Sequence, residues 1–151
     1  MTTAIQAQTP EQSNKHFWYS LETEASTEEI WKIWTEVENW KSWDRGLQDA
    51  QLDSPSFQLG AKGRITSLEG RVSKFSLVQF EQGISYTFKT KLPLGGLYVK
   101  RYLEEKGDKT RFTHEVWFQG ITAGIFAKSF GPKFREMLPG VLQKIKELAE
   151  G

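Results

Sequence analysis

From about residue 57 to residue 120 the chain reads as five strands in succession, 57–68, 71–80, 84–92, 96–105 and 110–119, with Gly, Pro and Asp marking the turns. Consecutive strands joined by short turns make an antiparallel meander, and a meander has one broad apolar face that something must cover. The residues before and after this run supply the cover. "FWYSLET" (17–23) alternates Phe17, Tyr19 and Leu21 against Trp18, Ser20 and Glu22, the period of a half-buried strand. The period then changes. "STEEIWKIWTEV" opens with Ser26 and Glu29 at capping-box spacing and lays Ile30, Trp31, Ile33, Trp34 and Val37 along one helical stripe. "NWKSWD" fits a second short helix with Asn39 as N-cap and Trp40 and Trp43 on one side. "RGLQDAQLDSPS" (45–56) is rich in turn formers and predicts a loop.

Residues 121–149 return to helical spacing, with Phe126, Phe130, Phe134, Met137, Leu138, Val141, Leu142, Ile145 and Leu148 on one broad face. Pro132 and Pro139 each lack an N–H and crowd the carbonyl four residues back, which predicts kinks, or a short helix followed by a longer one from about 132. A helix of about 18 residues is roughly 27 Å long and covers such a sheet only along its middle. The expectation is a hollow between sheet and helix.

The segment "VKRYLEEKGDKTRFTHEVWF" (99–118) fixes a register. With "KGDK" as the loop, Glu105 faces Thr110. Leu103 then faces Phe112, Val99 faces Val116 and Leu97 faces Phe118 on one side of the sheet. On the other, Glu104 meets Arg111, Lys100 meets Glu115 and Tyr98 meets Trp117, so apolar pairs and opposite charges segregate together. The remaining inward pair is Arg101 with His114. A guanidinium does not shed its proton, so an unpartnered arginine in an apolar core costs several kcal/mol. Three outcomes are open: an ion pair with a carboxylate such as Glu136 or Asp44, a place at the sheet rim with the head group in water, or a place in a cavity where Arg101 and His114 meet a ligand's polar end. A lone inward histidine is more often a satisfied core residue than a site.

Composition narrows the function classes. The 151 residues carry 20 basic and 19 acidic side chains, a formal charge of +1, so the electrostatic footprint of a nucleic-acid binder is missing. Without cysteine there are no disulfides, thiolate nucleophiles or thiolate metal sites, and two histidines, His16 and His114, argue against a histidine metal centre; no cofactor is implied. Residues 1–15 are polar and lack the pattern of a secretory signal, which predicts a disordered arm ahead of one domain over 16–151. No apolar run reaches the ~18 residues of a membrane span, and the expected setting is the cytoplasm. Six Trp and ten Phe in so small a domain need an explanation.

"ETEASTEEIWKIWTEVENWKSWD", "LGAKGR" with Gly60 and Gly63, the hairpin ending at Gly120 and the closing "LQKIKELAE" resemble, in that order, the START-like helix-grip (SRPBCC) superfamily, in particular its bacterial polyketide cyclase/dehydrase-like branch. The resemblance covers residues from about 17 to 150. It implies an α+β fold: an antiparallel β-sheet wrapped around a long C-terminal helix, with two short helices after the first strand. Between sheet and helix it implies an apolar tunnel for lipids, polyketides, quinones or similar molecules. It carries no universal catalytic residue across, but it places Trp40 and Trp43 near the cavity mouth and the last helix along one wall.

The candidate ligand-binding residues are Trp40, Trp43, Tyr86, Phe88, Val99, Arg101, Phe112, His114, Phe126, Phe130, Phe134 and Met137. Trp31 and Trp34, on the first helical stripe, are read as core; Trp40 and Trp43 serve as readily as a lid as core, and the aromatic stripe of the last helix packs more often than it binds. Tyr86 shares an alternating face with Ile84, Phe88 and Thr90, and its hydroxyl, once buried, needs a partner such as Arg101 or a ligand. "LPLGGL" (92–97) predicts a turn at the sheet's end, with a hinge as the alternative. Three functions follow: capture of a small hydrophobic molecule; a cyclase or dehydratase in which His114 shuttles a proton while Arg101 or Tyr86 steadies an enolate oxygen; and a protein-interaction module presenting Trp18, Tyr98 and Trp117 outward.

Overall fold

The computed structural model describes residues 11–151. Seven strands, β1 (His16–Thr23), β2 (Leu47–Leu52), β3 (Lys62–Ser67), β4 (Val72–Glu81), β5 (Ser85–Leu92), β6 (Gly95–Lys106) and β7 (Lys109–Gly120), pair antiparallel in the order β1-β7-β6-β5-β4-β3-β2. The sheet curls into a half-barrel. Helix α1 (Thr27–Thr35) and a 3-10 helix (Val37–Ser42) carry the chain from β1 at one edge to β2 at the other, and helix α2 (Ala123–Glu150) packs against β1 and β7.

α1 starts as the sequence predicts. Ser26 accepts from the Glu29 N–H at 3.1 Å while the Glu29 carboxylate accepts from the Ser26 N–H at 2.9 Å, closing the capping box. The β6–β7 register is the one derived from charge and apolar pairing, with Glu105 opposite Thr110 and Arg101 opposite His114. β4 bulges between Leu77 and Gln79. Beyond the bulge the Gln79 side chain bonds the hydroxyls of Ser85 and Thr87, both at 2.8 Å, which accounts for the burial of β5 on its outward side as well.

Three expectations are corrected. The second short helix starts at Val37 after Glu36, so Asn39 lies inside it rather than at its N-cap. The segment 45–56 contains strand β2, and the strand expected over 57–68 begins only at Lys62. A bulge between Leu47 and Asp49 breaks the alternation in β2, and Ala50 is its one fully buried residue. The last helix does not break near 132: it is continuous through Pro132 and Pro139, both exposed.

The polar arm expected over 1–15 lies, for residues 1–10, outside the described residues. Residues 11–15 run along the sheet edge: the Lys15 carbonyl accepts from the Phe118 N–H at 3.0 Å, and Gln12 Oε1 accepts from the Trp18 N–H at 3.0 Å. Asn14 lies so close to α2 that a Cβ on Gly131 would sit 2.3 Å from its carbonyl oxygen. No helix among the described residues is long and apolar enough to cross a membrane.

Candidate functional site

The concave face of the sheet is built from alternate residues of β5, β6 and β7, and across it lie α1 and the 3-10 helix. Arg101 and His114, side by side in mid-sheet, are buried to 4% and 2% exposure. Neither expected carboxylate closes an ion pair with Arg101: Glu136 is exposed on α2, and Asp44 is half-buried but beyond salt-bridge distance.

Three other features hold the guanidinium. Aromatic faces surround it, with the carbon of the cation 4.6 Å from the Trp40 ring centre, 5.0 Å from Trp43, 5.2 Å from Phe88 and 5.7 Å from Tyr86; each such contact contributes on the order of 1 kcal/mol, more when desolvated. Arg101 Nη1 donates to the Tyr86 hydroxyl at 2.8 Å, which in turn donates to the Trp34 carbonyl at 2.8 Å. That carbonyl also accepts from Trp40 Nε1 at 2.9 Å. It lies in the last turn of α1, where a helix leaves carbonyls unpaired and its dipole ends negative. The cation is thus tied to the negative end of a helix dipole rather than to an acid.

The donors and acceptors are not all used. Arg101 Nε, His114 Nε2, Trp43 Nε1, Trp34 Nε1 and Thr90 Oγ1 are buried without a hydrogen-bond partner among the described residues. Such atoms are uncommon in native interiors, where each costs about 1–3 kcal/mol. The first four belong to one cluster: the His114 ring centre lies 5.5 Å from Trp34 and 5.9 Å from Trp43, and Trp43 flanks Arg101. Burial, and then the charge of Arg101, holds His114 well below the usual imidazole range, so it is neutral at neutral pH. Burial pushes the Tyr86 phenol up. Burial also raises the Asp44 carboxyl, against the Gly46 N–H bond and the attraction of Arg101.

The expected hollow is narrower than a single covering helix implies. Trp34, Trp40, Trp43, Tyr86, Phe112 and His114 fill its centre, with Trp40 stacked on Phe75 and Phe88 at 5.4 and 5.6 Å. Solvent nevertheless reaches Leu97 and Val99, inward residues of the mid-sheet strand β6, and Phe126, Phe130 and Met137 on α2. Phe126, Phe130 and Phe134 stack in a row, and Phe134 is 36% exposed; in its N-terminal half the face α2 buries carries Ala123, Ala127 and Gly131 instead. Trp43 forms one wall of a hollow of about 210 Å³ shared with Ile33, Glu36, Asn39, Ser42 and Leu148.

On the convex face Tyr98 and Trp117 stack in parallel at 5.4 Å, and His16 bridges Trp117 and Trp18, as the outward-patch reading requires. A shallow hollow of about 440 Å³ adjoins Tyr98, between Lys89 and the glycines at 95, 96 and 120. No group of three or more His, Asp or Glu able to hold a metal exists among the described residues.

The candidates from the sequence therefore divide. Tyr86, Phe88, Arg101, Phe112, His114, Trp40 and Trp43 come together; Val99 on β6 and Phe126, Phe130 and Met137 on α2 are half-buried, Met137 beside Gly46, and Phe134 is exposed. The carbonyl of Trp34 was not among them. No side-chain pattern announces a backbone acceptor at a helix end.

The family model described as activator of Hsp90 ATPase homolog 1-like protein matches residues 24–150. The chain belongs to that family. Its fold is of the START/SRPBCC type, as the resemblance in the sequence implied. No curated protein matches the chain in sequence. Among solved structures, protein NE0264 from Nitrosomonas europaea is similar with a TM-score of 0.71 at 14% identity, covering 94% of this chain and 98% of that one. DynU16, a protein of the dynemicin biosynthetic locus, gives 0.69 at 15%, covering 93% of this chain and 48% of its own. Ara h 8.0201 gives 0.68 at 10%, covering 89% and 96%. At these identities the likeness is one of fold.

Proposed function

We propose that this protein binds a small hydrophobic molecule between the concave face of the sheet and α2. The fold family is known for such binding. The observation that carries the reading is the half-burial of Leu97 and Val99, inward apolar residues of a mid-sheet strand that are normally sealed, together with the half-buried aromatic row Phe126 and Phe130 on α2. Met137, unbranched and half-buried, supplies a wall that can adapt. Native mass spectrometry of the protein as isolated, followed by titration with neutral fluorescent lipid, sterol and aromatic probes, tests it. A co-purified mass or saturable one-to-one binding is expected. Failure of every probe to bind, with no bound mass, rejects it.

A second reading, proton-transfer catalysis of the cyclase or dehydratase type, is favoured by one feature: a neutral His114 with a free Nε2 beside a fixed cation. It requires that His114→Ala abolish turnover of a substrate while leaving its binding intact.

A further inference from the structure

We infer that the molecule bound in this interior carries a single carboxylate, held by Arg101 with Trp43 and His114 as auxiliary hydrogen-bond partners. This rests on the binding reading above and adds the chemistry of the ligand's head. Arg101 is a permanent cation, 96% removed from solvent and without a carboxylate inside salt-bridge distance among the described residues. The aromatic cage and the Tyr86 hydroxyl offset part of the cost of burying it. They leave Nε undirected, and Asp44, although close enough to feel the attraction of Arg101, stays outside salt-bridge distance, so no carboxylate among the described residues meets the guanidinium directly in a setting where charges interact strongly.

The neighbouring unused atoms define what completes the site. Arg101 Nε and Trp43 Nε1 can only donate, and His114 Nε2 can donate in one tautomer. A group that only accepts, with two oxygens and one negative charge, matches the donor character of all three; a hydroxyl or a ketone offers fewer acceptor sites and leaves the cation unneutralised. Because His114 is neutral, Arg101 is the one cation such a head would meet, and with Asp44 already in its field the site suits a monoanion rather than a doubly charged phosphate. The apolar body has a place as well. Leu97, Val99 and Arg101 succeed one another on the inward face of β6 over about 13 Å. The half-buried end of this line lies at Leu97 and Val99 and the cation at its sealed end, so a head at Arg101 leaves the tail along Val99 and Leu97.

The test is competition at pH 7.5 among decanoate, decanol and decylamine for the site of a neutral naphthylamine fluorophore, in the wild type and in Arg101→Met. Decanoate is expected to bind at least about tenfold tighter than decanol, as a charge-assisted hydrogen bond implies, with decylamine weakest. In Arg101→Met the advantage of the acid should disappear while decanol still binds. Decanol binding as well as decanoate in the wild type overturns the inference and leaves hydrophobic binding standing; no binding by any of the three, or by the fluorophore, removes both. If Arg101→Met does not fold, the nitrogen resonance of Arg101 Nε in the wild type decides. A shift with decanoate and none with decanol supports the inference, and equal or absent shifts overturn it.

Discussion

Arg101 is an arginine whose nearest strong interactions are a phenol and four aromatic faces, and this changes what its removal should do. Taking away one member of a buried polar chain leaves the others stranded, whereas replacing the charge by an apolar side chain of similar size is often neutral or stabilising. Tyr86→Phe deprives Arg101 Nη1 of its acceptor and the Trp34 carbonyl of one of its two side-chain donors. We expect it to cost about 1–3 kcal/mol, and less than about 1 kcal/mol when made in Arg101→Met, a double-mutant cycle read by urea unfolding. Equal costs in both backgrounds would mean that the two side chains are not coupled. His114 gives a pH signature. Its proton affinity is depressed in the folded state, so below about pH 6.5 the unfolded chain takes up a proton that the folded chain refuses. Stability is therefore complete above that pH and falls as the pH drops towards the folded value, by up to about 1.4 kcal/mol per unit. Asp44 acts oppositely, since its raised carboxyl gains protons in the folded state first. In His114→Gln the decline between pH 6.5 and 5 should flatten; an unchanged profile assigns the decline to other groups.

The β6–β7 hairpin was legible because two independent signals, apolar alternation and charge pairing, agree on one register. β2 was not, because "LQDAQL" holds few strand formers and its bulge breaks the alternation on which the reading depends. In α2 the row of large residues drew attention to Phe126, Phe130 and Phe134, yet closest approach selects small ones: Ala123, Ala127 and Gly131 lie deeper. The prolines did not stop this helix, because the burial of Leu138, Val141, Leu142 and Ile145 on its C-terminal half favours helix past both. A local cost remains where Pro139 leaves the Arg135 carbonyl without its N–H, so Pro139→Ala should stabilise the protein by about 1–3 kcal/mol; no gain in the urea midpoint would mean that the helix bends to fit the ring. Gly63 is constrained differently. A Cβ there would lie 2.4 Å from Cζ of Phe75 and 2.5 Å from the Gln51 carbonyl oxygen. Gly63→Ala should push Phe75 off Trp40, cost about 1–3 kcal/mol and lower the unfolding midpoint.

Seven strands curled around α1, the 3-10 helix and α2 leave two faces with different work. The concave face holds a buried cation, unused hydrogen-bonding atoms and the half-buried apolar Leu97 and Val99; the convex face carries the stack of Tyr98 on Trp117 with His16 and Trp18 beside it. The sequence separates these faces through the hairpin register alone, but how full the interior is depends on side chains from α1, the 3-10 helix and β4 meeting across distances that no local pattern encodes. If ligand capture belongs to the concave face, it must respond to the bulk at Val99 and ignore the convex aromatics. A bound ligand at about a hundred times its dissociation constant adds about 2.7 kcal/mol, a rise of about 5–10 °C in the unfolding midpoint for a chain of this size. That rise, measured with decanoate, should vanish in Val99→Trp, whose indole obstructs the line of Leu97 and Val99, and persist in Trp117→Ala. Loss in Trp117→Ala with retention in Val99→Trp would move the binding seat to the convex hollow beside Tyr98 and Lys89, and the outward aromatics would then be the functional surface.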